Sequence, residues 1–184
     1  PTGGPPKAKA QVAAIDTTDR KVVKTLELKE PAWQMCAAPD GKVLYVSGIQ
    51  TDPKSPAGIM VVEVPTLALQ TTLQVPKGWA YSMSVLKDGR LLVALWGAGN
   101  TPNTIAVEVI EPSGRNFPAV NESLGALSNN GHVGATPDGK HYVTSSHHPG
   151  PNNGIDVYTS SETTVGDKKI ASMTRAGTSL VTGA

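Results

Sequence analysis

The hydrophobic residues of the chain fall into short runs that are separated by polar turns. Three of these runs, at residues 43–47, 91–95 and 141–145, each follow a turn that contains the pair Asp-Gly. In such a turn the glycine adopts the positive φ that a tight connection between two strands requires. The runs are rich in β-branched and aromatic residues, and no segment of helix length shows a 3.6-residue period. The pattern therefore predicts an all-β protein.

The predicted strands recur with a nearly constant period. The pairs Asp40-Gly41, Asp88-Gly89 and Asp138-Gly139 lie 48 and 50 residues apart. A second pattern, strand, polar turn and strand, begins near residues 12, 59, 105 and 155. The repeat unit is thus four short strands, named A to D: A leads into the Asp-Gly turn, B follows it, and C and D form the second hairpin. A period of this length predicts a β-propeller of four-stranded antiparallel blades.

The residues around two of the turns resemble a known repeat family. Residues 39–47 (PDGKVLYVS) and 137–145 (PDGKHYVTS) are similar to the "PDGK-x-x-YVTN" signature of YVTN β-propeller repeats, and residues 15–18 (IDTT) resemble its usual strand C ending. The second copy departs from the signature, with Lys87 in place of proline and Leu95 in place of a polar residue. The resemblance covers residues 10–172 and implies a seven-bladed, quinoprotein- or lactonase-like propeller.

The chain accounts for about half of such a ring. It offers strands C and D of one blade, two complete blades and a third blade whose strand D is expected near residues 164–170. Residues 1–9 are expected to be a flexible lead-in, and residues 173–184 a tail or the start of a further blade. A half ring leaves open sheet edges, which favour association. We therefore expect further propeller sequence, a second chain that closes the ring, or self-association.

Composition narrows the range of partners. The 184 residues include 16 Lys and Arg and 15 Asp and Glu, a balance that argues against nucleic acid or an anionic membrane as the main partner. No apolar run approaches the roughly 18 residues that span a bilayer. The single cysteine, Cys36, lies in a predicted strand A and is expected to be a small buried residue. The sequence begins with Pro1 rather than Met, which either a processed precursor or an arbitrary starting point would explain, and the expectation is a periplasmic or extracellular location.

The blade topology predicts one face where unusual side chains meet. The loop that enters strand A and the loop that leaves strand B lie at the same end of a blade, and loops at the mouth of such rings are common ligand sites. All three tryptophans and three of the four histidines fall there. The predicted ligand-binding face consists of Trp33, Trp79, Tyr81, Trp96, His132, His147 and His148. The alternative interpretation is that the aromatic residues fill space between blades.

Three of these histidines also form a candidate metal site. His132, His147 and His148 come from two neighbouring loops, and imidazole is a good ligand for copper or zinc. Adjacent residues of an extended strand point in opposite directions, so His147 and His148 cannot both point inward there. The alternative is that all three are solvated loop residues. His141 falls inside a predicted strand B and is expected at its surface.

No catalytic motif accompanies this face. The sequence has no Walker loop, nucleophile elbow or haem-attachment motif, and the strand C acidic residues lie away from the ring axis. The absence of an acidic cluster at the mouth puts lactone hydrolysis in doubt. The leading hypothesis is an extracytoplasmic binding or scaffold module. The alternatives are a propeller subunit of a redox or metal-dependent enzyme that uses copper, haem or quinone, and a structural cell-surface or filament protein.

Overall fold

The computed structural model describes residues 9–49, 57–75, 78–97, 104–110, 126–128, 131–146, 154–165 and 168–180. These residues form β-strands and turns, as the sequence predicted, with no helix among them. No segment of this described part has the length and apolar character of a membrane-spanning helix. The strands are β1 (Gln11–Asp16), β2 (Lys21–Glu27), β3 (Ala32–Ala37), β4 (Val43–Gly48), β5 (Ile59–Glu63), β6 (Ala68–Leu73), β7 (Trp79–Val85), β8 (Leu91–Trp96), β9 (Thr104–Ile110), β10 (Ala126–Ser128), β11 (His132–Ala135), β12 (His141–Ser146), β13 (Gly154–Val165) and β14 (Lys168–Leu180).

The strands assemble into consecutive antiparallel sheets. Strands β3–β6 form blade one, β7–β10 form blade two and β11–β14 form blade three, each in sequence order. Strands β1 and β2 form a two-stranded sheet, the half blade, in the positions of strands C and D. The all-β architecture of four-stranded antiparallel blades is therefore confirmed.

The Asp-Gly turns of all three blades share one glycine conformation and one aspartate hydrogen bond. Gly41, Gly89 and Gly139 have φ of 69°, 89° and 71°, where a residue with a Cβ would be strained. In each turn the aspartate Oδ1 accepts the backbone N–H two residues later, at 3.0 Å, 3.1 Å and 3.0 Å. The side chain thereby fixes the turn that the sequence pattern predicted.

The turn of blade two is one residue shorter than the other two. In blade one the N–H of Ala38 bonds to the carbonyl of Val43, whereas in blade two the N–H of Leu86 bonds to the carbonyl of Arg90. A shift of one residue moves every side chain of a strand to the opposite face. Tyr45 and Val93 occupy equivalent positions, yet both lie in the core between blades one and two. Strand B of blade two runs in the same direction within its blade as strand B of blade one, but the side chains at equivalent positions point to the opposite face of the sheet.

The hydrophobic core lies between successive sheets. One cluster joins the half blade to blade one through Val12, Leu28 and Met60. A second joins blades one and two, and a third, around Leu92 and Tyr142, joins blades two and three. The two middle strands of blade one, β4 and β5, are therefore largely buried, because neighbouring sheets lie on either side of them.

Hydrogen bonds also link the innermost strands of neighbouring blades. The Gln34 side-chain oxygen accepts the N–H of Met83 at 2.7 Å. The hydroxyls of Ser82 and Ser84 accept the N–H groups of Val133 and Ala135, both at 3.1 Å. Each bond runs from strand A of one blade to strand A of the next. These polar residues of the inner strands position one blade against another.

Blade three differs from the sequence expectation in its outer strands. Strand D was expected near residues 164–170, but β14 begins at Lys168 and continues to Leu180. It pairs with the 12-residue β13 from end to end, and its last residues, 173–180, belong to the segment expected to be a tail or the start of a further blade. At the other end of the chain, residues 1–8 of the expected lead-in lie outside the described residues.

Candidate functional site

The aromatic residues of the predicted face lie at the ends of strands, opposite the Asp-Gly turns. Trp79 begins β7 and His132 begins β11, while Trp96 ends β8. Trp79 and Trp96 are direct partners across β7 and β8. The antiparallel hairpin of strands A and B therefore places its first and last residues side by side, as the topology predicted.

Trp33 and Tyr81 each lie in a β-bulge of their inner strand. The pairing register shifts between Ala32 and Met35 in blade one, and between Ala80 and Ser82 in blade two. Trp33 and Tyr81 lie at equivalent repeat positions within these two bulges. A bulge bends its strand and redirects a side chain, and bulges are frequent beside functional sites. The sequence pattern contained no signal for either bulge.

Five of the seven predicted residues form one connected group of rings, here called the aromatic surface. Tyr81 lies at its centre. The Tyr81 ring stacks on Trp33 at 29° with centroids 5.6 Å apart, and meets Trp79 edge to face at 5.6 Å. The rings of Trp96 and His132 lie 5.8 Å and 5.4 Å from it. Trp33 and Trp79 also meet edge to face at 5.7 Å. These are favourable geometries for aromatic pairs.

The aromatic surface is anchored on one side and open on the other. Tyr81 and Trp96 pack against the core between blades two and three. Trp33 rests on Tyr81 and Trp79, yet 53% of it is exposed. The alternative interpretation, in which the aromatic residues fill space between blades, therefore fits Tyr81 and Trp96. Trp33 differs, because its indole ring is held in place while half of its surface faces solvent.

His132 is the only histidine of the candidate metal set within the described residues. It is exposed, and its backbone N–H donates to the Ser145 hydroxyl at 3.4 Å. His147 and His148 lie outside the described residues. Within the described ranges, no three His, Cys, Asp or Glu side chains come close enough together to hold a metal ion. The three-histidine site therefore stays a prediction.

The thiol of Cys36 is not activated as a nucleophile. Burial raises its pKa from 9.0 to about 11, so it is protonated at neutral pH. Cys36 is partly buried and packs against the core between blades one and two, at a position where the sequence predicts a small buried residue. The pKa of Tyr45 is also raised. Burial is the largest cause, and the nearby Cys36 and Asp40 add smaller contributions.

The aspartates with altered pKa values serve the turns. The backbone N–H groups of Asp19 and Thr18 lower the pKa of Asp16. The Thr136 hydroxyl and the Lys140 N–H lower that of Asp138. Burial opposes ionisation of Asp88, but hydrogen bonds and the charge of Arg90, whose guanidinium lies 2.5 Å away, lower its pKa overall. Asp88 and Asp138 lie in turns and Asp16 ends β1 directly before one, so ionisation of these groups stabilises local structure.

Comparison with known proteins supports the fold. No protein-family model and no curated protein matches the chain. Among solved structures it is similar to hydrazine synthase from Kuenenia stuttgartiensis, with a TM-score of 0.57 and 21% identity over 81% of this chain and 40% of that one. It thus spans less than half of that relative. A protein of unknown function from Desulfotomaculum acetoxidans gives a TM-score of 0.45 and 12% identity, over 86% of this chain and 59% of that one.

Proposed function

We propose that this chain is part of a YVTN-type β-propeller that acts as an extracytoplasmic binding or scaffold module through its aromatic surface. The observation that supports this is the half-exposed Trp33, held by Tyr81 and Trp79 at the end of the inner strands. Contiguous exposed apolar patches often mark binding sites, and the Trp33 ring is continuous with the other rings of the aromatic surface. The resemblance of residues 39–47 and 137–145 to the YVTN signature supports the YVTN type.

The geometry favours ligands with a flat face. Among these rings only Trp33 and Tyr81 are close to parallel, at 29°, and Trp33 is 53% exposed, so the solvent-facing part of the Trp33 ring offers a flat platform. A platform takes a planar ring or the apolar face of a sugar by stacking. An aromatic contact of this kind adds about 0.5–1.5 kcal/mol beyond the burial of apolar area. Trp33 is already ordered by its neighbours, so little side-chain entropy is lost on binding.

The test is a binding titration with flat-faced probes. A cello-oligosaccharide, a chito-oligosaccharide and a water-soluble quinone are each titrated while ligand-observed NMR reports contact with the protein. We expect saturable binding of at least one probe that Trp33→Ala weakens roughly ten-fold, the loss of about 1.4 kcal/mol. Val23→Ala is the matched control, because Val23 is 64% exposed on β2 and lies outside the aromatic surface. Equal affinity of Trp33→Ala and Val23→Ala would refute the proposal.

A second candidate function is a propeller subunit of a redox or metal-dependent enzyme. The fold likeness to hydrazine synthase, an enzyme by its name, favours it, together with His132 on the aromatic surface. In this proposal His132, His147 and His148 bind copper or zinc. Metal content measured by mass spectrometry is expected to fall in His132→Ala and to persist in His141→Ala, which alters a histidine of β12. Protein that neither carries nor takes up a transition metal would exclude this candidate.

A further inference from the structure

The bulge that carries Trp33 is closed by the side chain of a buried serine. The register shift in β3 places two residues, Trp33 and Gln34, opposite the single residue Ser47 of β4. A bulge interrupts the ladder, so the backbone groups of the extra residue need other partners. The Ser47 hydroxyl accepts the N–H of Gln34 at 3.0 Å and donates to its carbonyl at 3.3 Å. Ser47 is fully buried, so both bonds are shielded from water.

The side chain of Gln34 fixes the same segment to the next blade. Its Oε1 accepts the N–H of Met83 at 2.7 Å. Gln34 is thus bonded to strand B of its own blade through its backbone and to strand A of blade two through its side chain. Trp33 is joined to Gln34 by a peptide bond, so these contacts also restrict the backbone that carries the indole ring.

The corresponding bulge of blade two is held in a different way. The β8 residues that flank it, Leu95 and Ala94, are apolar and fully buried, so neither offers a hydroxyl. Tyr81, at the position equivalent to Trp33, packs instead against the core between blades two and three. Trp33 is half-exposed, so core packing does not hold it to the same extent. The hydroxyl of Ser47 therefore accompanies the more exposed of the two bulged rings.

Blade three carries a serine at the same repeat position but has no bulge there. Ser47 and Ser145 each follow the aspartate of their turn by seven residues. Ser145 pairs with His132 in a regular register, and its hydroxyl accepts the His132 N–H at the longer distance of 3.4 Å. Ser145 is therefore a matched control for Ser47, because it has the same side chain at the same place in the repeat.

We propose that Ser47 is a positioning residue of the aromatic surface, whose hydroxyl holds the bulge in one conformation and so keeps the Trp33 ring preformed for a ligand. A ring that is already fixed loses less conformational entropy when a ligand stacks on it. This inference rests on the proposed binding function of the aromatic surface. The order of the Trp33 ring, however, is measured without any ligand, so the two proposals can fail separately.

The test measures NMR order parameters of the three indole N–H groups, assigned by replacing one tryptophan at a time with phenylalanine. For Trp33 we expect an order parameter of about 0.85 in the unaltered protein and below about 0.6 in Ser47→Ala. The order parameter of Trp96 should stay unchanged, because that ring packs against the core. Ser47→Thr retains the hydroxyl and should keep Trp33 ordered. Ser145→Ala should leave Trp33 ordered as well, because it alters a different blade.

Affinity is the second readout. Ser47→Ala should weaken binding of a flat-faced probe roughly five-fold, through the added cost of ordering one side chain, and Ser47→Thr should restore it. If Ser47→Ala does not fold, Ser47→Cys, which has a similar volume and a weaker hydrogen-bonding group, takes its place with the same expected results.

An unchanged order parameter of Trp33 in Ser47→Ala would overturn the inference. So would an equal loss of order in Ser47→Thr and Ser47→Ala, because the hydroxyl would then not be the cause. If the unaltered protein binds none of the probes, the proposed binding function fails, and the order parameters still decide whether Ser47 holds the Trp33 ring.

Discussion

The hydrogen bond from Val133 to Ser82 offers a direct test of how the blades are held together. The Ser82 hydroxyl accepts the Val133 N–H at 3.1 Å, and the two residues are 1% and 9% exposed. Ser82→Ala removes the acceptor and leaves a buried N–H without a partner. Such a group costs about 1–3 kcal/mol, more than the net value of an ordinary hydrogen bond. The cost falls on the interface between blades two and three.

Urea unfolding measures the total cost of this substitution, and hydrogen exchange locates it. We expect Ser82→Ala to lower the free energy of unfolding by about 2 kcal/mol. Ser84→Ala should lower it by about 1 kcal/mol, because its bond to Ala135 is only partly buried. The exposed Thr17→Ala is the control and should change it by less than about 0.5 kcal/mol. The amide of Val133 should exchange faster in Ser82→Ala.

The reasoning is refuted if Ser82→Ala is no more destabilising than Thr17→Ala. It is also refuted if the stability falls while the exchange rate of the Val133 amide stays unchanged, because the loss then lies elsewhere. In thermal unfolding the expected effect is roughly 2–4 °C for each kcal/mol in a chain of this size.

Two further predictions concern protonation. Burial raises the pKa of native Cys36 from 9.0 to about 11, and the thiolate is the form that reacts with iodoacetamide. At pH 8 native Cys36 should therefore react roughly 100-fold more slowly than Cys36 of the urea-unfolded protein. Equal rates would show that the thiol is accessible and ionised. The lowered pKa of Asp138 contributes stability that is present above its unfolded value of 3.8 and is lost as the pH falls through its folded value. Asp138→Asn should therefore flatten the loss of stability in acid, and an unchanged profile between pH 5 and pH 2 would contradict this.

The repeat itself could be predicted from the sequence because each blade has an Asp-Gly pair in the turn between strands A and B. Asp40-Gly41 and its two counterparts fix where strand A ends and strand B begins. The antiparallel connection then requires the start of A and the end of B to adjoin, which is why Trp79 and Trp96 could be placed together in advance. Turn chemistry and strand order sufficed for that much.

The details that shape the aromatic surface could not be predicted. Lys87 was recognised as a departure from the repeat, but the shorter turn and the reversed face of strand B depend on how tightly the hairpin closes. The bulges at Trp33 and Tyr81 likewise leave no signal in the pattern of hydrophobic and polar residues. The inter-blade role of Gln34 and Ser82 was missed, although a polar residue recurring at the same inner-strand position was a readable signal. The predicted ligand and metal roles remain predictions.

The order of the sheets has a consequence for how the chain folds. Every blade is closed by consecutive strands, and the bonds between inner strands span only 49 or 51 residues. Such a chain behaves as a linear array whose units are stabilised by their nearest neighbours, so that folding can begin in one blade and spread to the next. Blade two has a complete blade on either side, and residues 91–95 of β8 are fully buried. Among the described strands, β8 should therefore be the one most protected against local opening.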